Sequence, residues 1–471
     1  MASDSPPPPP VSPVDRYFAI SERRSSVRSE IIGGTTTFAA MAYIIVANPA
    51  ILADAGIPRG PSTVATILAV VFGTALMGLY ANRPVAVAPY MGENAFIAYG
   101  LIGLAVVVTP QMRLGSVFIS GVAFLLITLL HVRSWLANSI SPSMKYSFGV
   151  GIGFFLAFVG LYKTGIVTSF VAGLPYEIML VPDGKLLRVP DVPVKIGRLG
   201  DPHVLLALGN FFLTMVLLIR GVRGAILWGM VVTAAVGIAV GQGKAPEAVV
   251  ALPFTGDYDL SQIAFSLDIR GVLTLTFLPV LLTLFLISFL DTLGTLIAVG
   301  GAGDMLDEQG NFPEIEKPML VDALACIFSA LVGTSTSGAY IESTAGVREG
   351  ARTGLAALVT AGLFAVMLFF MPLVDPLQSL AYVYGPALIA IGALMLGGVR
   401  HIHFEDATEA VPAFVTIAVM LFTFNIGNGL TAGLLLYPVL KAAVGRWREV
   451  NPGSIVLGAM CLVYYLFGLP H

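Results

Sequence analysis

The sequence predicts an all-α polytopic membrane protein with fourteen transmembrane segments, arranged as two inverted repeats of seven. Three observations predict this fold: the composition, the number of apolar stretches, and the likeness between two interrupted stretches. Of the 471 residues, 56% are hydrophobic and only 11% are charged, and the mean hydropathy is +0.88. Soluble domains carry about 25% charged residues. The composition therefore excludes an ordinary soluble domain, and no basic tract suggests a nucleic-acid partner.

The apolar stretches give the span count, since a membrane-crossing helix needs about 20 apolar residues. Twelve candidates begin near residues 31, 63, 114, 148, 204, 224, 271, 318, 354, 386, 408 and 429. Two further segments, 85–105 and 334–350, are apolar but interrupted by Pro, Gly, Ser and Thr, and we count them as spans three and ten. A last stretch, 453–468, is short, and the sequence leaves open whether it crosses the membrane.

The two interrupted segments resemble each other. "PYMGENA" (89–95) and "AYIESTA" (339–345) share a Tyr and an Ala at a shift of 250 residues, and "GGTTTF" (33–38) resembles "GVLTLTF" (271–277) at a shift near 239. Two repeats of seven spans follow, over residues 31–243 and 268–446. Because seven is odd, the second repeat inserts upside down, as in many secondary transporters.

The flanking segments and the charges set the expected topology. Residues 1–14 predict a disordered, proline-rich tail, residues 15–30 an amphipathic surface helix, and residues 447–471 a hydrophobic C-terminal segment. With the N-terminus in the cytoplasm, sixteen of the 25 Lys and Arg residues fall on the cytoplasmic side. Five of the other nine lie in one long loop, which counts little in the positive-inside rule. We therefore expect a cytoplasmic N-terminus.

The interrupted segments predict a binding site. Non-helical backbone at membrane depth survives only when it is buried in protein or lines a wet cavity. We expect an extended stretch over 337–341 followed by a half-helix starting at Ser343 or Thr344, and a matching half-helix starting at Glu93 or Asn94. Their free N–H groups would face one cavity near the membrane midplane.

Two isolated carboxylates point to the same cavity. A charged side chain at membrane depth costs several kcal/mol and is a functional hypothesis by default. Glu342 lies in the second interrupted segment, and Asp291 is the only charge between Arg270 and Asp304. The structural alternatives are a helix cap for Glu342 and a hydrogen bond between helices for Asp291. The two cysteines, Cys326 and Cys461, both lie in apolar stretches and predict packing roles rather than a disulfide.

Five long motifs in order carry a resemblance to a known family. They read "GGTTTFAAMAYIIVANPAIL", "APYMGENAFIAY", "FLDTLGTLIAV", "GAGDMLDEQGNFPEIEK" and "AYIESTAGVREGARTGL". From about residue 15 to 445 the chain resembles the AzgA-like purine permeases of the nucleobase/ascorbate transporter (nucleobase:cation symporter) family. The resemblance implies a core domain and a gate domain, with a short strand in each interrupted segment. It also implies uptake of adenine, guanine and hypoxanthine with protons across the plasma membrane, the inner membrane of a bacterium.

The resemblance assigns roles to individual residues. The family's tenth-span carboxylate maps onto Glu342, its eighth-span acidic residue onto Asp291 and its third-span asparagine onto Asn94. We expect these three to bind substrate, with Glu93, Ser343, Thr344 and Tyr90 contributing, and Asp291 and Glu342 to couple protons. Tyr90 and Glu93 depart from the usual third-span pattern, Pro-Gly-Met-Gly-x-Asn with an uncharged x, which leaves the preferred purine and the proton stoichiometry open.

The chemistry fits a purine independently of the resemblance. A carboxylate accepts two N–H bonds at once, an asparagine amide donates and accepts, and aromatic side chains can sandwich a flat ring. The candidate aromatics are Phe38, Tyr43, Tyr90, Phe96 and Phe289.

Several alternatives remain open at this point. A xanthine- or uracil-type carrier and an anion carrier share the architecture, and an embedded enzyme could use Asp291 and Glu342 as an acid–base pair. Carboxylates in the site disfavour anions, and we expect a gradient-driven carrier rather than an enzyme. No ATP-binding loop, cofactor motif or strong metal-ligand spacing occurs in the sequence, and His401 with His403 would chelate only weakly. The oligomeric state is open, a homodimer included.

Overall fold

The computed structural model describes residues 12–101, 107–130, 139–170, 194–307 and 312–467. Most of the tail expected over residues 1–14 therefore lies outside the described residues. Nearly all of the described elements are helices, and the strands are four segments of three residues each.

The first half of the chain contains nine of these helices. Their bounds, with the strands in chain order, are α1 Pro13–Phe18, α2 Val27–Met41, α3 Ile44–Asp54, α4 Arg59–Leu76, β1 Val87–Pro89, α5 Met91–Ala95, α6 Pro110–Leu129, α7 Pro142–Lys163, β2 Val167–Ser169, β3 Val194–Ile196, α8 Pro202–Ile219 and α9 Ala225–Ala239.

The second half contains ten α-helices and one strand among the described residues. Its elements are α10 Ile269–Val272, α11 Leu278–Ala302, α12 Glu316–Val332, β4 Ser337–Ala339, α13 Ser343–Arg348, α14 Gly354–Met367, α15 Met371–Ser379, α16 Ala381–Met395, α17 Ala407–Phe422, α18 Ile426–Ala443 and α19 Pro452–Phe467.

The prediction of one continuous surface helix over residues 15–30 is wrong, because the structure has two separate helices in this region. Helix α1 ends at Phe18, Ala19 adopts a left-handed conformation with φ 56°, and the next helix begins only at Val27. Ser12 and Ser26 each accept a hydrogen bond from a backbone N–H of the first turn that follows, and a serine at this position favours a helix start. Two separate helix starts therefore replace one continuous helix.

The apolar helices agree in place with the twelve predicted spans. By length and apolarity, seven helices among the described residues can cross a membrane, or eight if α14 and α15, which meet at 81°, form one bent span. The number fourteen therefore stays a prediction, because several spans are shorter helices and two are interrupted.

Helix contacts divide the molecule into two bodies. One body, which we call the core domain, encloses the interrupted segments. It consists of helices α2, α4, α6, α11, α12 and α14, which pack together. Helices α7, α8, α9, α16, α17 and α18 form the second body, the gate domain. In the gate domain, α7 and α16 lie so close together that a Cβ added to Gly160 would lie 2.6 Å from the carbonyl oxygen of Gly385. Small residues allow such close packing between helices in membranes.

Candidate functional site

The two interrupted segments meet as a two-stranded antiparallel sheet inside the core domain. Val87 pairs with Ala339, and Pro89 pairs with Ser337. Beyond the strands, the N–H of Tyr90 donates to the carbonyl of Thr336 at 2.9 Å. The backbone groups of both segments are therefore satisfied by each other, which is what buried non-helical backbone requires.

An equivalent hydrogen bond occurs at the other end of the strand pair, where the second segment donates and the first accepts. The N–H of Tyr340 donates to the carbonyl of Ala86, also at 2.9 Å. Ala86 and Tyr90 correspond to Thr336 and Tyr340 at the repeat shift of 250 residues. The pairing is thus symmetric, and the short strands expected in spans three and ten are confirmed.

Each strand runs into a short helix. The second helix begins at Ser343, as the sequence predicts, whereas the first begins at Met91, two or three residues before the predicted start at Glu93 or Asn94. The first helix continues as a π-helical turn from Phe96 to Gly100. At its end, the Arg113 guanidinium donates to the carbonyls of Ile97 and Ala98. A cation at a helix C-terminus offsets the partial negative charge of the last carbonyls.

A cavity of about 1110 Å³ lies where the interrupted segments face the gate domain. On the core side its wall contains Tyr90, Asp291, Tyr340 and Glu342. On the gate side the wall is mainly apolar and includes Phe148, Ile152 and Leu156 of α7 with Ile391 and Met395 of α16. The site thus combines carboxylates and tyrosines on one wall with aliphatic surface on the other.

Glu342 is held in the cavity by a tyrosine. Its Oε1 accepts a hydrogen bond from the Tyr43 hydroxyl at 2.6 Å, and the side chain is only partly buried. Although Glu342 occupies the N-cap position of α13, its side chain makes no capping hydrogen bond. The helix-cap explanation of this carboxylate is therefore not what the structure shows.

Asp291 lies within α11 and is partly exposed to the same cavity. The next residue along, Thr292, donates to a carboxylate oxygen of Asp322 at 2.8 Å and lies 3.0 Å from the Tyr90 hydroxyl. Because the hydrogen of Thr292 is committed to Asp322, the tyrosine is the donor in the second bond. Asp322 also accepts the N–H of Ala339 at 2.8 Å. This chain of bonds fixes Tyr90 against the strands.

Two tyrosines form part of the cavity wall at equivalent positions of the repeats. The rings of Tyr90 and Tyr340 stack at 6.3 Å between centroids and 16° between planes. The Tyr340 hydroxyl donates to the carbonyl of Pro89 at 2.8 Å. Both rings are therefore fixed in orientation and present a rigid aromatic surface.

Four of the seven expected site residues do not line the cavity. The Ser343 hydroxyl accepts the N–H of Ala86 at 2.9 Å and so joins the two repeats. Asn94 is fully buried and donates to the carbonyl of Asn48 at 3.3 Å. Glu93 is fully buried behind the wall, and Thr344 is half-buried outside it.

The expected free N–H groups of the second short helix are also occupied. The N–H groups of Ser343 and Thr344 donate to the carbonyls of Tyr340 and Ile341, at 3.1 and 3.0 Å. The turn that leads into the helix uses these donors internally. The expectation that they face the cavity is therefore wrong.

Sequence reasoning missed Asp322 and Asn48. Asp322 is an isolated acid in the apolar run "LVDALACIF", the same signal that identified Asp291, but it lies close to Glu316 and Lys317 and resembles a span end. Asn48 donates to Thr66 and Thr334, both at 2.8 Å, and so binds three elements together. Of the expected aromatics, Tyr43 and Tyr90 line the cavity, while Phe38 packs on Phe364.

The cavity has a charged mouth. Lys145, Glu314, Glu316 and His401 lie on its rim. Nearby, Arg83 donates to the carbonyl of Pro313 at 2.8 Å and lies 3.6 Å from the Glu314 carboxylate. Burial lowers the pKa of Arg83 to about 10, so it stays cationic at neutral pH. This cation ties the segment before α12 to the first repeat.

The opposite end of the interface between core and gate is closed. Lys163, at the end of α7, forms a 2.6 Å ion pair with Asp54, at the end of α3. Tyr99 donates to the same carboxylate at 2.7 Å, and its ring lies 5.8 Å from that of Phe424. Charged and aromatic groups of α3 and of the first interrupted segment thus contact α7 and Phe424 of the gate domain at this end.

Comparison with known proteins places the chain by sequence and by shape. The family model described as Permease family matches residues 28–431. A protein of Methanocaldococcus jannaschii is 40% identical, with 96% of this chain and 98% of the relative covered. The guanine/hypoxanthine permease PbuO of Bacillus subtilis is 36% identical, with 95% of this chain and 99% of the relative covered. The adenine permease AdeQ of Escherichia coli is also 36% identical, with 95% of each chain covered.

Among solved structures, the transmembrane domain of the cyanobacterial bicarbonate transporter BicA superposes with a TM-score of 0.60 at 15% identity. The superposition covers 86% of this chain and 97% of that domain. At this identity the likeness shows the fold alone, and that fold is the inverted-repeat transporter architecture expected from the sequence.

Proposed function

The chain belongs to the Permease family, and we propose that it imports purine nucleobases (adenine, guanine and hypoxanthine) by proton symport across the inner membrane of a bacterium. Relatives of nearly full-length coverage are named as guanine/hypoxanthine and adenine permeases, which supports purines over xanthine or uracil. It acts as a carrier and not as an enzyme.

The observation that carries this proposal is the pair of carboxyl groups in one cavity. Glu342 accepts the Tyr43 hydroxyl on one oxygen and leaves lone pairs for the N–H groups on the rim of a purine. The apolar gate wall and the Tyr90 ring suit the flat faces of the base. Two carboxylates in the same cavity disfavour an anion as cargo, although BicA shares the fold.

Asp291 is the group proposed to carry the coupled proton. It lies on the core wall of the same cavity and is partly exposed to it. A proton taken up there would remove one of the two negative charges on the wall before the neutral base is enclosed. Since desolvation disfavours an ionised carboxyl, closing the cavity favours the loaded, protonated state.

The conformation corresponds to an inward-facing carrier when the N-terminus is cytoplasmic. The rim residues Lys145, Glu316 and His401 lie in segments that the positive-inside pattern assigns to the cytoplasm. The Asp54–Lys163 ion pair then closes the outer end. Movement of the core domain against the gate domain, as inverted-repeat carriers do, would break this pair and open the cavity outward.

The test is uptake of radiolabelled adenine, guanine, hypoxanthine, xanthine and uracil by cells that lack their own permeases. We expect accumulation of one or more of the three purines, faster at lower external pH and abolished by a protonophore. Uptake that follows a sodium gradient and ignores the protonophore would contradict the proton. Uptake of xanthine or uracil alone would contradict the purine specificity.

A further inference from the structure

Glu93 is a buried carboxyl group that the proposed transport site does not use. Its side chain is 0% exposed, and among the described residues no hydrogen bond of good geometry reaches either of its oxygens, although the Ser288 hydroxyl lies beside it. The other buried acids differ. Glu30 accepts the backbone N–H groups of Arg352 at 2.9 Å and of Thr353 at 3.3 Å, and Asp322 accepts two bonds. Glu93 is thus a buried acid of a different kind.

The surroundings of Glu93 contain acids and neutral groups. Helix α5 packs on α3, α7 and α11. The titratable groups that face Glu93 are Asp291 on α11, Cys326 on α12, Tyr340 beyond β4, and Tyr90 at its own helix start. Within the described part of α3 and α7 we find no titratable or charged group beside it, and no Lys or Arg is among these neighbours.

This environment favours the uncharged acid. An ionised carboxylate that is buried with neither a counter-ion nor a hydrogen bond is strongly unfavourable. A second carboxyl group nearby adds like-charge repulsion. The neutral form of Glu93 needs neither a cation nor a set of donors, and it is the form that fits.

We propose that Glu93 is a second proton-binding residue, coupled to Asp291, so that the two carboxyl groups carry at most one negative charge between them. Asp291 faces the cavity and exchanges its proton with water there, whereas Glu93 keeps its proton out of contact with the cavity. The role of this pair in transport rests on the proposed proton symport. The proton on Glu93 is a property of the folded protein and does not depend on the cargo.

Infrared spectroscopy of the purified full-length protein in detergent tests the proton directly. At neutral pH, where an exposed glutamate is ionised, we expect a carbonyl band of a buried protonated carboxyl group. Glu93→Gln should remove that band. Glu342→Gln is the matched control and should keep it. If the unmodified protein and Glu93→Gln give identical spectra in this region, the proposal is overturned.

The coupling to Asp291 has its own readout. In Asp291→Asn the neighbouring negative charge is gone, so the Glu93 band should disappear on alkalinisation at a lower pH than in the unmodified protein. A band that titrates at the same pH in both proteins would overturn the coupling.

The variant Glu93→Asp and the absence of purine from both measurements ensure that the results can be interpreted. If Glu93→Gln is not recovered folded, Glu93→Asp replaces it and should move the band in frequency; an unmoved band would overturn the assignment to Glu93. Neither measurement uses a purine. A protein that shows the band but transports no purine therefore overturns the proposed function and leaves this inference standing.

Discussion

The two interrupted segments occupy equivalent places in the two repeats and carry different chemistry. The strand pairing is symmetric, since the N–H groups of Tyr90 and Tyr340 each donate to the opposite segment at 2.9 Å. At the shift of 250 residues, Gly92 stands where Glu342 does, and Glu93 stands where Ser343 does. One segment therefore presents its acid to the cavity, and the other encloses its acid in the core domain. The strand pairing is symmetric, whereas the two acids lie in different surroundings.

Gly92, the equivalent of Glu342 in the first repeat, shows why only one of the two segments places an acid in the cavity. Gly92 also lines the cavity, but a Cβ there would lie 2.7 Å from Ile152 of the gate domain. A side chain as long as glutamate at that position would press against the gate wall. The cavity thus has room for one carboxylate at these paired positions, and the second repeat supplies it.

The largest expected effect is a loss of purine affinity in Glu342→Gln, which should not occur when Glu93 is changed in the same way. Glu342→Gln removes a charged acceptor from the cavity wall, and losing a charge-assisted hydrogen bond costs about 1.5–3 kcal/mol. That is roughly a 10- to 150-fold loss of purine affinity at 1.4 kcal/mol per decade. Binding to the purified protein by calorimetry measures it.

The matched variant for this prediction is Glu93→Gln, a change of the same size in the equivalent segment. Because Glu93 does not line the cavity, we expect its affinity for purine to stay close to that of the unmodified protein. Equal losses in the two variants would show that the two segments do not differ as described.

A smaller effect is expected at the strand pair. Gly338 lies against the Tyr90 ring, and a Cβ there would meet ring atoms at 2.5–2.6 Å. Gly338→Ala should therefore displace Tyr90, at an overpacking cost of about 1–3 kcal/mol, and should weaken purine binding as well. Thermal unfolding and binding of the purified variant measure both effects.

Ala88 provides the control, since it is the strand partner of Gly338 and its equivalent in the first repeat. Ala88→Gly removes a methyl group without pressing on a tyrosine. It should cost about 0.5–1 kcal/mol of backbone entropy and leave binding intact. A loss of binding as large as that of Gly338→Ala would argue against the tyrosine as the cause.

The smallest effect is confined to stability. Ser343→Ala leaves the buried N–H of Ala86 without its acceptor, and an unsatisfied buried donor costs about 1–3 kcal/mol. Purine affinity should not change, because Ser343 does not line the cavity. A lowered unfolding temperature with unchanged binding is the expected outcome.

Thr336→Val is the matched variant, because Thr336 flanks β4 as Ser343 does and is the equivalent of Ala86 in the second repeat. Among the described residues its hydroxyl has no partner, so replacing it with a methyl group should leave the unfolding temperature unchanged or raise it. If Thr336→Val destabilises as much as Ser343→Ala, the loss in Ser343→Ala does not come from the Ser343–Ala86 hydrogen bond.

Much of the fold could be predicted from the sequence, and the site only in part. Composition and apolar spacing placed the helices, and Pro, Gly and the isolated Glu342 marked the interrupted segments. Which face of a short helix meets the cavity depends on its rotation within the core domain, and adjacent residues such as Glu93 and Asn94 carry no pattern that fixes it. The partner of Ser343 lies in the other repeat, beyond the reach of local reasoning.

The strand pair has a consequence for how the chain is made. The hydrogen bond between Ala86 and Ser343 joins residues 257 positions apart. At about 5–20 residues per second of synthesis, the first interrupted segment waits roughly 13–50 s for its partner to leave the ribosome. During that interval the edge of β1 lies in or beside the bilayer with its strand partner missing, and an unpaired edge in lipid is costly. The first repeat therefore stays incomplete until the second has been made, and the two halves complete their folding together.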